Sequence, residues 1–246
     1  ALVDGQSDAG NTHDVFCDIV IDHHPRQENT AAPLSIIYPE IGASATILVN
    51  MFQIYGISFD SNLASALSYA ITSETEDLGR DTHSRDREAY LHVYARANLG
   101  KLAKIKNPPR KPTYFQAIYT TLRDAVSYHQ LIFSDLGPLK APEIAAEMAD
   151  LLIKLTRITW VLCIGLHDNS MIISIRTSKK DAKAGQFIKK LVSKPEYAGG
   201  HDTMAGGAVP LQENDSYTLK AAHIQEEFAS LHGYTSPAWK RLIKLS

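Results

Sequence analysis

Three side chains that can bind a metal ion follow one another at the end of an apolar run. Ile19-Val20-Ile21 is followed directly by Asp22, His23 and His24. The run predicts a buried strand, and open α/β folds place their chemistry at the ends of such strands. Imidazole and carboxylate groups bind divalent cations and also serve as acids and bases. The pattern predicts a metal-dependent hydrolase, and the alternative is a solvated turn with two surface histidines.

Composition limits the function classes that remain. The 246 residues carry a formal net charge of −2 and contain two cysteines, Cys17 and Cys163. With no global positive field, we expect no binding of long duplex nucleic acid, so that an anionic substrate should be small. No apolar stretch approaches the roughly 20 residues of a membrane span, and no signal segment opens the sequence. We expect no disulfide framework, no membrane contact and a cytoplasmic location.

The apolar periodicity predicts an α/β protein in which a parallel-sheet domain is joined by a linker to a smaller α/β domain. The boundary is expected in the proline-rich and lysine-rich stretch 104–112. We therefore assign residues 1–106 to the first domain, 107–130 to a linker with a connecting helix, and 131–246 to the second domain. Helices are expected over 43–55, from 61 toward the acidic turn 73–80, and over 85–103, 113–130, 141–155, 182–192 and beyond 221. Strands are expected to end near residues 3 and 21 and to cover 131–134, 158–166 and 170–175.

Four segments, in this order, resemble the DHH phosphoesterases that carry a DHH-associated C-terminal domain. They are Leu2-Val3-Asp4, Asp22-His23-His24, the turn from Ser73 to Arg80, and the glycine-rich segment from Gly199 to Gly207. The resemblance covers nearly the whole chain. It implies the branch of nanoRNases, phosphoadenosine phosphatases and dinucleotide phosphodiesterases.

The resemblance also implies a metal centre. Cleavage of a phosphoester needs an oxygen nucleophile and relief of charge on the phosphoryl group, and two divalent cations can provide both. Asp4 is then expected to bridge the ions, His23 to bind one of them, His24 to face the phosphate, and Asp22 to orient an imidazole. The mixed oxygen and nitrogen ligands favour manganese, with magnesium or cobalt as alternatives.

The sequence departs from the family pattern in two places. Where most members have aspartate followed by threonine, this chain has Glu74-Thr75, with Asp77 three residues later, and either acid could be the ligand. Glu74 is favoured by the motif alignment. The second departure is that no first motif, with its histidine and two aspartates, precedes Asp4. We expect the sequence to be a fragment; without that motif, catalysis should be severely weakened.

Substrate binding is expected from the second domain. The consecutive glycines Gly199 and Gly200 permit close backbone approach and would present His201 to an anion. Arg176 resembles the arginine with which the family grips its substrate, and Thr177 and Ser178 could add hydroxyl donors beside it.

The leading hypothesis is therefore a phosphodiesterase or phosphatase. It would hydrolyse short single-stranded oligonucleotides, linear or cyclic dinucleotides, or phosphoadenosine nucleotides, using hydroxide generated by two metal ions. One alternative is an exopolyphosphatase or pyrophosphatase, and another is a non-catalytic nucleotide-binding module. The sequence leaves the preferred substrate and the oligomeric state open, including a homodimer.

Overall fold

A computed structural model describes residues 1–6, 17–27, 30, 32–79, 82–200 and 202–243. The chain forms two compact units, Ala1–Pro109 and Arg110–Ser246. The second unit, which we expected to be smaller, is the longer of the two in this chain. Among the described residues, no helix combines the length and the apolar character needed to cross a bilayer.

The first unit contains a parallel three-stranded sheet in the order β1-β2-β3. Its strands are β1 (Leu2–Val3), β2 (Ile19–Asp22) and β3 (Leu34–Ile37), and its helices are α1 (Ser44–Ile54), α2 (Ser61–Glu74), α3 (Ser84–Tyr94) and α4 (Leu99–Lys106). The pairing of Val3 with Ile21 sets the ends of β1 and β2 side by side. The residues that follow these two strands therefore lie at one edge of the sheet.

Side-chain caps begin α2, α3 and α4 of the first unit, whereas α1 begins without one. Asp60 accepts a hydrogen bond from the Leu63 amide and begins α2, as the sequence predicted. The single helix predicted over 85–103 was wrong, because the structure has two helices there. The Asn98 side chain accepts a hydrogen bond from the Lys101 amide at the start of α4, and the Asn98 amide donates to Ser65. Asn98 thus caps the start of α4, four residues after α3 ends at Tyr94.

The second unit is built on a seven-stranded mixed sheet in the order β10-β4-β5-β6-β7-β9-β8. Its strands are β4 (Val126–Tyr128), β5 (Leu131–Pro138), β6 (Trp160–His167), β7 (Ser170–Thr177), β8 (Ala198–Gly200), β9 (Met204–Pro210) and β10 (Lys240–Arg241). Its helices are α5 (Pro112–Asp124), α6 (Glu143–Leu152), α7 (Ala184–Leu191) and α8 (Tyr217–Ser230). Strands β5 and β6 are parallel, whereas every other neighbouring pair is antiparallel.

Two apolar cores lie on opposite faces of this sheet. One packs α7 and α8 against residues such as Ile173 and Ile175 of β7, and the other packs α5 and α6 against Ile132 and Val161. The alternation of side chains along each strand produces the two cores. Helix α5, which we expected to be part of a linker, packs its apolar side chains on the second core. The chain therefore divides at Pro109, before α5 begins.

The segment between Gly199 and Gly207 differs from the expected glycine-rich loop, because much of it forms the strands β8 and β9. Glycine weakens strands, so the glycine-rich composition of this segment did not predict a strand. The structure supplies the reason for Gly207: a Cβ there would lie 2.6 Å from the Tyr197 carbonyl oxygen. Close strand approach, rather than flexibility, accounts for this glycine.

His232 makes the stability of the fold depend on pH. Its ring packs against Trp160, Phe187 and Phe228, and its buried Nε2 has no hydrogen-bond partner. Burial lowers the pKa of His232 below its ordinary 6.5, and the nearby Lys179 lowers it further, although the hydrogen bond to the Phe228 carbonyl opposes them.

The unfolded chain therefore binds a proton on this histidine at a higher pH than the folded chain does. We expect the free energy of unfolding to be maintained above pH 6.5 and to fall below it, by at most about 1.4 kcal/mol per pH unit. Urea denaturation between pH 7.5 and 5 measures this slope. The His232→Phe variant should be less sensitive to pH in that range, and an unchanged slope would contradict the assignment.

Candidate functional site

The centre of the first unit's candidate site is Asp22, the last residue of β2. Its side chain is completely buried, and its two oxygens accept hydrogen bonds from the Gln6 side chain at 2.7 Å, the His23 amide at 2.9 Å and His24 Nδ1 at 2.7 Å. Burial opposes ionisation, but the hydrogen bonds from Gln6 and His24 outweigh it and hold the pKa of Asp22 below its ordinary value. Because an ionised carboxylate only accepts, the proton of this contact lies on His24 Nδ1.

His23 is oriented by a backbone carbonyl. Its Nδ1 lies 3.2 Å from the carbonyl oxygen of Ile41, which can only accept, so Nδ1 carries the hydrogen. Nε2 then presents a lone pair. This nitrogen is buried, has no hydrogen-bond partner among the described residues, and lies 3.5 Å from Oδ1 of Asp4. A nitrogen lone pair and a carboxylate oxygen therefore face each other, which is favourable only when a cation or proton joins them.

Asp4 reaches this position through an uncommon backbone conformation. Its φ angle is 63°, in the left-handed region, while its amide continues the strand pairing by donating to the Ile21 carbonyl at 2.9 Å. Ser44, the first residue of α1, donates its hydroxyl to Asp4 Oδ1 at 2.9 Å. The side chain remains 48% exposed, so it is held in place and open to solvent at once.

Asp4, His23 and His24 together form a group that fits a divalent cation. One ligand atom from each lies within 4.8 Å of the other two, and no other such group of three occurs in the described part of the chain. The orphaned Nε2 of His23, a carboxylate and a second imidazole are a donor set for manganese, magnesium or cobalt. A histidine that donates its other nitrogen to a carbonyl is the common arrangement of metal ligands. The group supplies donors for one ion.

Asp86 is a supporting residue that sequence reasoning missed. It is completely buried and accepts hydrogen bonds from the Gly42 amide at 2.9 Å, the Thr46 hydroxyl at 2.6 Å and the His83 amide at 2.8 Å. Gly42 directly follows Ile41, and Thr46 lies two residues after Ser44, so Asp86 supports the segment whose residues Ile41 and Ser44 orient His23 and Asp4. The capping-box spacing from His83 to Asp86 was the available signal, but it identifies only a helix start.

The structure does not bring Glu74 or Asp77 into the group. Glu74 is the exposed last residue of α2. Asp77 lies in the following turn, exposed, and accepts a hydrogen bond from the Lys106 ammonium at 2.8 Å. Which of the two acids binds metal therefore stays a prediction, as does the ligand set of a second ion.

The second unit contains a cavity of about 360 Å³ at the β8 edge of its sheet. Its lining includes Arg176 and Ser174 of β7, Gly199 and Gly200 of β8, and Met204 of β9. The strand register pairs Arg176 with Met204, and it pairs Gly199 with Gly206. The cavity lining therefore contains one cross-strand pair with two long side chains and one pair with no side chains. Two sequence-predicted regions, the arginine and the glycine pair, thus line one cavity.

The Arg176 guanidinium is already held by neighbours in this cavity. Nε and Nη2 donate to the two oxygens of Asp150, and Nη1 donates to the Ser174 hydroxyl at 3.1 Å and the Ile175 carbonyl at 2.9 Å. Asp150 therefore occupies the fork that would bind a phosphate. Its own side chain is 54% exposed, which allows it to be displaced.

Substitution of Asp150 with asparagine should tighten the binding of an anionic ligand in this cavity. A partly exposed ion pair is worth up to about 1 kcal/mol, so we expect the Kd of adenosine monophosphate to fall about fivefold. Isothermal titration calorimetry measures the change. The matched control is Glu147→Gln on the same helix, whose carboxylate pairs with Arg110 and should leave the Kd unchanged. Weaker binding in Asp150→Asn would instead show that Asp150 holds Arg176 in the orientation that binds the ligand.

The remaining predicted substrate residues differ in position. The Thr177 hydroxyl donates to the Thr159 carbonyl at 2.8 Å, and the Ser178 hydroxyl donates to the Ile158 carbonyl at 3.4 Å, so both bond neighbouring backbone rather than line the cavity. Alternation along β7 explains this for Thr177, which points to the face opposite Arg176. His201 lies outside the described residues.

Substitution of the two glycines of β8 should change the stability of the fold by very different amounts. Gly200 has φ +154°, and a Cβ there would lie 2.4 Å from the Ala205 Cα, whereas a Cβ on Gly199 would meet nothing within 4 Å. We expect Gly200→Ala to lower the free energy of unfolding by about 3 kcal/mol and Gly199→Ala to change it by less than about 0.5 kcal/mol. Chemical denaturation compares them, and equal losses would contradict the assigned geometry.

Comparison with known proteins supports part of the expected resemblance. Residues 129–226 match the DHHA1 domain family, in agreement with the resemblance expected for the second half of the chain. An uncharacterised protein of Methanocaldococcus jannaschii is 30% identical over 197 residues, which cover 79% of this chain and 40% of that protein. The chain thus spans less than half the length of this curated relative.

The fold itself has a solved counterpart. The crystal structure of an exopolyphosphatase-related protein from Bacteroides fragilis superposes with a TM-score of 0.71 at 13% identity, covering 87% of this chain and 63% of that one. A likeness at this identity concerns the fold. It confirms the α/β class, with a parallel sheet followed by a large mixed sheet.

Proposed function

We propose that this chain belongs to a DHH-type phosphoric-ester hydrolase that uses divalent metal ions, manganese foremost, and acts on short oligonucleotides, dinucleotides or phosphoadenosine nucleotides. The observation that carries the proposal is the buried Nε2 lone pair of His23 facing the Asp4 carboxylate, with His24 beside them. A bound divalent cation would supply charge neutralisation and activation of water.

The chain's own residues would orient the ligands of the ion and contact the phosphoryl group. Asp22, ionised and buried, fixes the tautomer of His24 by accepting a hydrogen bond from its Nδ1. With the ion held by Asp4 and His23, the Nε2 atom of His24 would contact a phosphoryl oxygen or hold a proton for the leaving group instead of binding the ion. Hydrogen bonds to Ile41 and Ser44 hold the side chains of His23 and Asp4 in position, so that little rearrangement is needed when the ion binds.

The second unit would bind the substrate. The cavity beside Arg176 combines apolar lining from Ile172, Met204 and Ala205 with one guanidinium, which suits a nucleotide with a base and a phosphate. A bare phosphate chain would leave the apolar lining unused. This lining favours nucleotides over polyphosphate.

A turnover panel tests the proposal. The 246-residue chain is incubated with Mn²⁺ and, in separate reactions, with a diadenylate, a phosphoadenosine phosphate or polyphosphate, and products are separated by chromatography. Because these 246 residues lack the first motif, we expect slow release of mononucleotide or phosphate from the first two substrates, faster release by a form extended at its N-terminus, and none in the presence of EDTA. Turnover of polyphosphate alone would identify an exopolyphosphatase, and tight nucleotide binding without turnover in both forms would identify a non-catalytic module.

A further inference from the structure

Gln6 is a buried amide whose hydrogen-bonding capacity is fully used. It is only 1% exposed. Its Nε2 donates to Asp22 Oδ2 at 2.7 Å and to the Pro25 carbonyl at 3.1 Å. Its Oε1 accepts from the Gln27 amide at 2.9 Å and from the Thr30 hydroxyl at 2.5 Å. An amide side chain offers two donor hydrogens and one oxygen with two lone pairs, so all four positions are occupied. These four partners fix both the place and the orientation of the amide group.

Gln6 connects the end of β1 to the loop that follows β2. It lies two residues after Asp4, and its four partners lie between 16 and 24 residues further along the chain. Two of these partners, Asp22 and Pro25, flank the pair of histidines in the sequence. A side chain close to one member of the metal-binding group therefore holds the segment that carries the other two members.

The amide nitrogen of Gln6 restrains His24 by two routes. One hydrogen goes to Oδ2 of Asp22, whose other oxygen accepts a hydrogen bond from His24 Nδ1 at 2.7 Å. The other hydrogen goes to the carbonyl of Pro25, the residue directly after His24. The first route fixes the ring, because a carboxylate held at one oxygen cannot turn freely about its Cβ–Cγ bond. The second route fixes the main chain from which the ring extends.

The ring of His23 is held in a different way. Its Nδ1 bonds the carbonyl of Ile41, which is not one of the four partners of Gln6. The two imidazole rings are neighbours, with centroids 4.3 Å apart. A change at Gln6 should therefore disturb the ring of His24 and leave that of His23 in place, which gives the site an internal reference.

We propose that Gln6 is a positioning residue that aims the ring of His24 at the phosphoryl group of the substrate, acting through Asp22 and Pro25. This inference rests on the proposed function for the role of His24. A misplacement of about 1 Å in an active site can lower the rate about 100-fold, so a fully bonded amide that fixes the orientation of a reacting imidazole contributes to catalysis without touching the substrate.

Two variants of Gln6 and one control separate positioning from support of the fold. Q6M has a similar volume and removes all four hydrogen bonds. Q6E retains an oxygen for Gln27 and Thr30, but in either protonation state it has at most one donor hydrogen and cannot serve both Asp22 and Pro25. The control T30V removes one hydrogen bond to Oε1 and leaves both donor bonds of Gln6 in place.

The positioning is measured by NMR of the 246-residue chain at pH 8 without metal, as the exchange rate with water of the Nδ1 protons of the two imidazoles. In Q6M and Q6E, the His24 proton should exchange at least about tenfold faster, and the His23 proton should stay within about twofold of the wild type. Both protons should behave in T30V as they do in the wild type.

Turnover gives the second readout. In Q6M and Q6E, kcat should fall about 10-fold to 100-fold, because the imidazole is no longer aimed at the reacting group. The Kd for Mn²⁺ should change less than about threefold, because Asp4 and His23 keep their own hydrogen bonds to Ser44 and Ile41.

Unchanged exchange at His24 in both Gln6 variants would overturn the proposal. Equal acceleration at His23 and His24, or the same acceleration in T30V, would also overturn it, because Gln6 would then only support the fold. Faster exchange at His24 with unchanged kcat would refute the role toward the phosphoryl group. A wild type that hydrolyses nothing would reject only the proposed function, because the exchange rates are measured without substrate or metal and still decide whether Gln6 positions His24.

Discussion

Replacement of His23 with glutamine is expected to lower the Mn²⁺ affinity of the chain more than 100-fold and to abolish metal-dependent hydrolysis. Loss of a residue that merely supports a metal ligand typically reduces affinity or activity 10-fold to 100-fold, and loss of the ligand itself should exceed that. Calorimetric titration with Mn²⁺ measures the affinity. Glutamine retains a polar side chain of similar size, so the buried position should not collapse.

The control for this prediction is His92→Gln, in a histidine of α3 that belongs to no metal-binding group in the described residues. It should bind Mn²⁺ as the wild type does. Thermal unfolding of both variants without metal should give similar midpoints, which separates metal loss from misfolding. A wild-type Mn²⁺ affinity in His23→Gln would show that the group of Asp4, His23 and His24 is not the metal-binding site.

Replacement of Arg176 with lysine should weaken the binding of adenosine monophosphate by about 10-fold to 100-fold. Hydrogen bonds to a charged group are worth about 1.5–3 kcal/mol, and a lysine keeps the charge but cannot reproduce the fork of a guanidinium. In turnover, the loss should fall on KM more than on kcat, because Arg176 lies in a cavity of the second unit whereas the metal group lies in the first.

Arg157→Lys is the matched control, because Arg157 is exposed and does not line the cavity. A fall in kcat at unchanged KM in Arg176→Lys would show that the arginine acts on the reacting phosphate and would contradict a role in substrate binding alone. Unchanged KM and kcat would show that the guanidinium serves only to hold Asp150.

The part of the site that sequence predicted is the part fixed by local chain geometry. Asp22, His23 and His24 are consecutive at a strand end, so they must stay together wherever the strand lies. Asp4 joined them because two parallel strands end side by side, which the alternation of strands and helices predicts. The cavity's arginine and glycine pair were predicted from the family resemblance.

The part that sequence did not reveal depends on packing over long separations. Asp86 reaches the loop around Gly42 only because α3 packs against α1, 40 residues away, and no local pattern encodes that contact. Gln6 is similar, since its buried amide is defined by contacts with Asp22 and the Pro25 carbonyl. For the glycines of β8 and β9, the low strand propensity of glycine predicted a loop, whereas the structure has two closely paired strands.

Gly199 offers a way to redesign what this protein accepts. Its backbone does not require glycine, and the space above it is open, so a side chain placed there would project into the cavity rather than into the core. A library of residues at this one position could reshape ligand preference while the scaffold stays intact. Because residue 199 is glycine, no side chain at this position narrows the cavity.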